Sequence, residues 1–449
     1  MKKVREITEV IPIYKIENDC ILSKQGDITV GFEVTLPEIF TLSSSDFETI
    51  HHSWVRAIKL LPNHTVLHKQ DWFVESSYQA DFSKEEQSFL SRASERHFHE
   101  RPYLDHRCYL FLTKKAEGRK PASAMFSNLI RPTIVPPQTI NTKLFDQFMD
   151  KVGQFCKVLQ DGGLISVKRL NADELAGTDA PGLLERYCYL LSTHEQPVIR
   201  DMAIGEELKI GNLYCQLFTL ADAEDLPAVC GPRINYDRFS TDKTKFSVCF
   251  AAPLGQLLSC NHIYNQYVIV DDAQVTLKKL EGKRLRLQSL SAYSRDNSIS
   301  KDATNNFLNE AIAEQRLPVK AHFNLLTWTE NKERAKDIKN MVSAALAQMD
   351  ARTKQESVCA AQLYWAGLPG NEADLLLHET FDTFAEQATC FFNVETSYKS
   401  SISPVGIRLG ERLTGLPLHV DISDEPMKKG ICTNRNKFVL GPSPCRAIL

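Results

Sequence analysis

Apolar residues alternate or run together at 10–16 and 28–36, with Gly26-Asp27 between them as a turn, and this predicts two strands. The period then changes. Phe47, Ile50, Trp54, Ala57, Ile58 and Leu61 recur at helical spacing, Ser45 and Glu48 offer a capping box, and Pro62 ends the run. Strands are predicted at 65–74 and 108–113, with a helix from Ser83 between them. Residues 114–140 are polar and carry prolines, the pattern of a long surface loop, and 144–159 form an amphipathic helix. Short strands follow at 215–220 and 245–251.

The next stretch is more regular. A strand at 263–270 leads into a helical section, 273–316, broken around 289–300; Pro318 closes it before a strand at 319–329. Ala335, Ile338, Val342, Ala345 and Met349, spaced by three and four, predict a helix over 330–350. A strand at 359–366 and a helix at 372–392 then complete the strand, helix, strand, helix order expected of a split βαβ, ferredoxin-like unit. The class predicted is α+β, with mixed sheets and packed helices. An N-terminal α+β unit is expected over 1–200 and a second, ferredoxin-like one over 201–405. Residues 406–449 read as a linker ending in a strand at 436–440.

A chain of 449 residues exceeds one ordinary core, which agrees with more than one unit. Lys and Arg total 53 against 56 Asp and Glu, a formal charge of −3, so global charge favours neither nucleic acid nor an acidic membrane surface. The 12 cysteines are scattered singly, without C-x-x-C or paired zinc spacing, as expected of reduced thiols in the cytosol. No run approaches the roughly 20 apolar residues that span a bilayer.

Candidate chemistry is sparse. Gly441-Pro442-Ser443 after an apolar strand opens like a phosphate-binding loop of the G-x-x-x-x-G-K-[ST] type. The positions of the second glycine, the lysine and the magnesium-binding hydroxyl hold Arg446, Ala447 and Ile448, and Pro444 lacks an N–H to offer phosphate. Gly441, Pro442 and Ser443 are therefore expected to be a non-functional remnant. His97, His99, Glu100 and His106 form the densest group of metal-ligand types, but a spacing of two separates the first pair on a helix, and solvated histidines are the plainer reading. Lys278, Lys279, Lys283, Arg284 and Arg286 with Leu280, Leu285 and Leu287 suggest a basic helix face over a leucine core, without the aromatic residues that stack on single strands. Cys188, Cys359 and Cys390 lie in apolar settings with no local His partner. Asp271-Asp272 suits a helix cap, and Trp328, Trp365 and Phe391 suit a core. No catalytic residue and no metal site is predicted.

Several long strings carry a specific resemblance: N-L-L-T-W-T-E-N-K-E-R (324–334), L-Y-W-A-G-L-P-G-N (363–371), E-T-F-D-T-F-A-E-Q-A-T-C-F (379–391), G-I-R-L-G-E-R-L-T-G (406–415), H-V-D-I-S-D-E-P-M-K-K-G (419–430) and N-R-N-K-F-V-L-G-P-S (434–443). Over about 323–443 the chain resembles the TraG-type conjugation ATPases of conjugative transposons, relatives of the type IV secretion motor proteins. The resemblance implies that 406–449 begins a RecA-like motor domain, truncated at its Walker A loop, with ATP and magnesium expected only for the intact family member. It further implies a docking and assembly role at the cytoplasmic face of the inner membrane, other secretion and conjugation subunits as partners, hexamers in the intact family, and no direct nucleic-acid contact. The alternative is an active conjugation ATPase whose sequence is incomplete.

Overall fold

The computed structural model describes residues 5–82, 89–116, 118–123, 127–129, 142–192, 195–196, 198–205, 207–238, 240–403 and 406–438. The chain divides into two compact units, Met1–Ser76 with Leu104–Ser397, and Ser77–Tyr103 with Tyr398–Leu449. Residue 200, where the sequence suggested a boundary, falls inside the first.

The first unit is built on one large sheet. Its N-terminal strands are β1 (Ile13–Glu17), β2 (Cys20–Ser23), β3 (Ile28–Thr35), β4 (Thr65–Ser77) and β5 (Pro102–Lys114). They continue with β6 (Ser166–Arg169), β7 (Met202–Ile204), β8 (Leu208–Ile210) and β9 (Leu213–Leu220). A separate two-stranded ribbon joins β10 (Arg233–Asn235) to β11 (Ser247–Cys249). The large sheet is completed by β12 (His262–Val270), β13 (Pro318–Thr329), β14 (Lys354–Glu356) and β15 (Phe381–Phe384). The main order is β1-β2-β3-β5-β4-β12-β13-β9-β8-β7, so strands from both sides of residue 200 share one ladder. The α+β class expected from the sequence is what forms.

Helices alternate with the strands. They are α1 (Ile7–Val10), α2 (Ser44–Lys59), α3 (Phe89–Phe98, in the second unit), α4 (Thr142–Asp161), α5 (Ala172–Ala176) and α6 (Leu183–Tyr189). After β12 come α7 (Ala273–Leu290) and α8 (Arg295–Ala313), then α9 (Lys332–Gln348), α10 (Ala360–Ala366) and α11 (Ala385–Cys390). On one face Trp54 of α2 meets Phe155 of α4 and Phe392 edge-on, and Phe391 stacks on Phe323. On the other, Trp72 packs against Tyr109 and Tyr187, and Tyr187 donates from Oη to the Tyr364 carbonyl at 2.6 Å. β4 is buried at ten consecutive positions, as a central strand covered on both faces must be.

Several local expectations change. The α2 cap is Ser43 rather than Ser45: Ser43 Oγ accepts from the Asp46 N–H, and Asp46 Oδ2 accepts from the Ser43 N–H at 2.7 Å. Ser43 and Ser45 each have an acid three residues on, Asp46 and Glu48, and the helix takes the earlier register. β2 intervenes between the two strands expected before residue 40. Residues 359–366 are not a strand but helix α10, whose Leu363, Tyr364, Trp365 and Ala366 are buried; a short apolar run is ambiguous by period alone. The single helix expected over 372–392 is two 3-10 turns, then β15, then α11. β12 and β13 are antiparallel neighbours, so the segment does not form a split βαβ. The start of the helix expected from Ser83 lies outside the described residues; α3 begins at Phe89.

In the second unit β16 (Ile407–Gly410) and β17 (Pro417–Val420) form a hairpin, followed by α12 (Asp424–Lys428). Arg408 Nη2 pairs with Glu95 Oε1 of α3 at 2.6 Å. Residues 436–438 carry no strand, and Phe438 is exposed. Gly441, Pro442 and Ser443 lie outside the described residues.

Two glycines separate close packing from open helix. A methyl on Gly367 would overlap the Tyr187 hydroxyl, whereas one on Gly282, midway along α7, meets nothing within 4 Å. Gly367→Ala should cost about 1–3 kcal/mol, and Gly282→Ala should raise stability by up to about 1 kcal/mol. Urea unfolding midpoints of opposite sign check both.

Candidate functional site

The residues with the most unusual chemistry sit at the centre of the sheet. His68, Lys69, Gln70 and Asp71 of β4 are all fully buried. Alternation sends His68 and Gln70 to one face and Lys69 and Asp71 to the other.

On the second face Asp71 is surrounded by donors. Lys69 Nζ donates to Asp71 Oδ2, Gln266 Nε2 donates to the same oxygen at 2.7 Å, and Asn393 Nδ2 donates to Oδ1 at 3.0 Å. His106 Nε2 lies 3.0 Å from Oδ1. Gln256 Nε2 donates to His106 Nδ1, which leaves Nε2–H to face the carboxylate. Burial alone would raise the Asp71 carboxyl, but Lys69 and His106 outweigh it and hold the group well below the ordinary carboxylate range. Nearby, Glu395 Oε2 accepts from the Cys249 N–H at 2.6 Å while Oε1 finds no partner. Desolvation pushes this carboxyl up to about 7.

On the first face, side-chain amides join three adjacent strands. Gln70, Asn265 and Asn324 are direct cross-strand neighbours on β4, β12 and β13. Gln70 Nε2 donates to Asn265 Oδ1 at 2.7 Å, and Asn265 Nδ2 donates to Asn324 Oδ1 at 2.8 Å. Asn324 Nδ2 lies 3.0 Å from His322 Nε2, and His322 Nδ1 lies 2.5 Å from the Glu379 carbonyl. That carbonyl accepts only, so Nδ1 carries the proton and Nε2 accepts from Asn324. The chain runs in one direction, from Gln70 to Glu379. Burial lowers His322 to about 4 and keeps it neutral. His68 stacks on Tyr267 with ring centroids 4.0 Å apart.

A small cavity borders the amide ladder, with Asn324, Tyr264 and Phe323 in its wall. A larger one, of about 450 Å³, lies between the β2–β3 turn and α4, with Ile28, Pro62, Phe145 and Phe148 in its wall and Lys114, Lys115 and Lys151 beside them. No member of the two networks lines it. The networks hold strands in register.

The residues singled out in the sequence distribute as follows. His97, His99 and His106 do not converge: His106 is buried in the first unit against Asp71, while His97 Nδ1 lies 3.2 Å from Arg101 and His99 Nδ1 accepts from the Ala80 N–H. The basic helix is α7, and its leucines do not cover a core, because no residue of α7 is buried. Asp272 caps it, accepting from the Gln274 and Val275 N–H groups. Trp328, Trp365 and Phe391 are core residues. Cys188 is buried, and burial pushes its thiol up to about 12. Cys390 and Cys359 do have histidine neighbours, from distant sequence: His51 Nε2 at 3.6 Å and His378 Nε2 at 3.9 Å. The amide ladder went unread, although polar residues at alternate positions inside strands otherwise apolar were its signal.

Two family models match the chain. Residues 406–446 match the TraG P-loop domain, and residues 1–52 match a domain of unknown function described from a B. Theta gene, DUF3875. No curated protein matches it. No helix among the described residues is long and apolar enough to cross a membrane.

Glu395 gives the first unit a pH signature. Its carboxyl rises from 4.5 to about 7 on folding, so the stability tied to its protonated form is complete below about 4.5 and drains away as pH climbs through 7. The loss is about 3 kcal/mol. Glu395→Gln should match the native chain near pH 4 and exceed it by that order at pH 8, as read by chemical denaturation at the two pH values.

Proposed function

We propose, from the match of residues 406–446 to the TraG P-loop domain, that the chain is a TraG-family conjugation protein whose first unit is a docking and assembly platform of a type IV secretion apparatus serving a conjugative transposon. The reading places it at the cytoplasmic face of the inner membrane, with other conjugation subunits and further copies of itself as partners. Nucleotide chemistry is no part of this role.

One observation carries the reading. β12 and β13 are antiparallel neighbours that a short turn could join. In place of that turn the chain inserts the α7–α8 hairpin. No residue of α7 is buried, and Val275, Leu285, Leu290, Tyr293, Ile299 and Ile312 are exposed along the two helices. Apolar side chains kept in water along a helical arm suit a surface that another protein covers. The far end of α8 is anchored: Thr304, Leu308 and Ala311 are buried, and Phe307 stacks on Phe384 at 4.2 Å. Arg284 is paired with Glu281 at 2.6 Å, which moderates the positive charge of α7 and weakens a phosphate-binding role for it.

Two experiments bear on this. Leu285→Lys, Leu290→Lys and Tyr293→Ser together should leave the thermal midpoint unchanged and reduce conjugative transfer from complemented donor cells to background; transfer at the native level overturns the docking role. Isothermal titration of the 449-residue chain with ATP and magnesium should give no binding heat. Micromolar binding, about −8 kcal/mol, overturns the reading that nucleotide chemistry lies elsewhere.

A further inference from the structure

The 3-10 turn Leu377–Glu379 brings two metal-ligand types together, and the segment leading into α10 brings a third. Cys359 Sγ lies 3.9 Å from His378 Nε2, and His378 Nε2 lies 3.6 Å from Glu379 Oε1. One ligating atom from each residue falls within 4.8 Å of the other two. A tetrahedral zinc ion with bonds of about 2.3 Å to sulfur and about 2.0–2.1 Å to nitrogen and oxygen needs separations of roughly 3.3–3.6 Å between ligand atoms. The His378 contacts need shifts of a few tenths of an ångström, and the Cys359–Glu379 pair, within 4.8 Å, a closure of up to roughly an ångström. We propose that Cys359, His378 and Glu379 bind a zinc ion, with the fourth position taken by water.

A second observation is independent of that spacing. The Glu379 side chain is only 9% exposed, yet its Oε2 makes no hydrogen bond. The nearest cation, Lys354 Nζ, is 4.0 Å away and is bonded instead to Asp222 Oδ2 at 3.1 Å. A buried carboxylate oxygen without a donor is costly, and a divalent cation beside it removes the cost.

Both ends of the set are already held. Glu356 Oε1 accepts from the Ser357, Val358 and Cys359 N–H groups at 3.0, 2.8 and 2.9 Å, which fixes the backbone that presents the thiol. The Glu379 carbonyl is the terminus of the directional chain that runs through His322 and Asn324 to the centre of the sheet. With ligand backbones fixed in this way, little conformational freedom is left to lose when the ion arrives. His378 is exposed and Cys359 half-buried, so the ion has a path in from solvent.

The test uses the full chain, stripped of metal with a chelator and titrated with zinc chloride against a chromophoric competitor. The expected result is one zinc per chain, a thermal midpoint that rises with zinc, and, on replacing zinc by cobalt, a near-ultraviolet thiolate-to-metal charge-transfer band. Cys359→Ser should abolish that band and weaken binding at least about tenfold. His378→Ala, at an exposed position that folding does not need, should weaken binding similarly. Cys390→Ser, the control at the other Cys–His contact, should change neither. Substoichiometric zinc, or binding and a charge-transfer band that survive Cys359→Ser, overturns the proposal.

Discussion

Burying Lys69 and Asp71 in the middle of a central strand is the constraint on which the first unit depends. A lone charge at such a depth costs far more than a protein of ordinary stability can supply, so each must be paired and hydrogen-bonded. The partners of Asp71 come from β12, β5 and the segment after α11, with Gln266 and Asn393 standing 195 and 322 residues away in sequence. None is in place until those elements have assembled. The pair therefore acts less as a source of net stability than as a condition on the fold: an alternative packing leaves a charge unmatched. The amide ladder on the opposite face sets a similar condition. Slipping β12 by one residue relative to β4 would turn Asn265 away from Gln70 and place Gln266 in its stead, breaking both faces together.

These conditions give the sheet a fixed centre from which less constrained parts extend. β4, β12 and β13 carry the polar residues, and the helical hairpin leaves the sheet between the last two. Its first helix is well capped by Asp272 yet buries nothing, while its second returns through buried Leu308 and Ala311 to β13. An arm of that kind keeps its direction because its roots are rigid, and its apolar residues remain available because no core needs them. Residues 406–446 match the TraG P-loop domain. What the arm contributes follows from where the buried and exposed residues lie.

The same centre reaches the surface at one more point. His322 is kept neutral by burial and donates a hydrogen bond from Nδ1 to the Glu379 carbonyl. The turn carrying His378 and Glu379 is thus tied to the core through hydrogen bonds, although His378 itself is exposed. Residues far apart in sequence meet there because α10 and the turns after it cover the face of the sheet opposite α2 and α4.

Much of this was legible in the residues themselves. The α+β class, the strands expected over 65–74, 263–270 and 319–329, the interrupted helical section and the amphipathic helices α2, α4 and α9 follow from hydrophobic period and from breakers such as Pro62 and Pro318. Those signals are local and strong because the elements are long. The reading failed where runs were short: Ala360–Ala366 is helical, with Leu363 to Ala366 buried, and 372–392 breaks up because β15 pairs with the start of β13. Tertiary structure alone decided that one sheet spans residue 200, that His106 joins Asp71 rather than His97, and that Cys359 meets His378. Each is a pairing between distant segments, and hydrophobic period carries no record of which strand lies beside which. Local sequence determined the elements; burial of the charges in β4 determined how they could be put together.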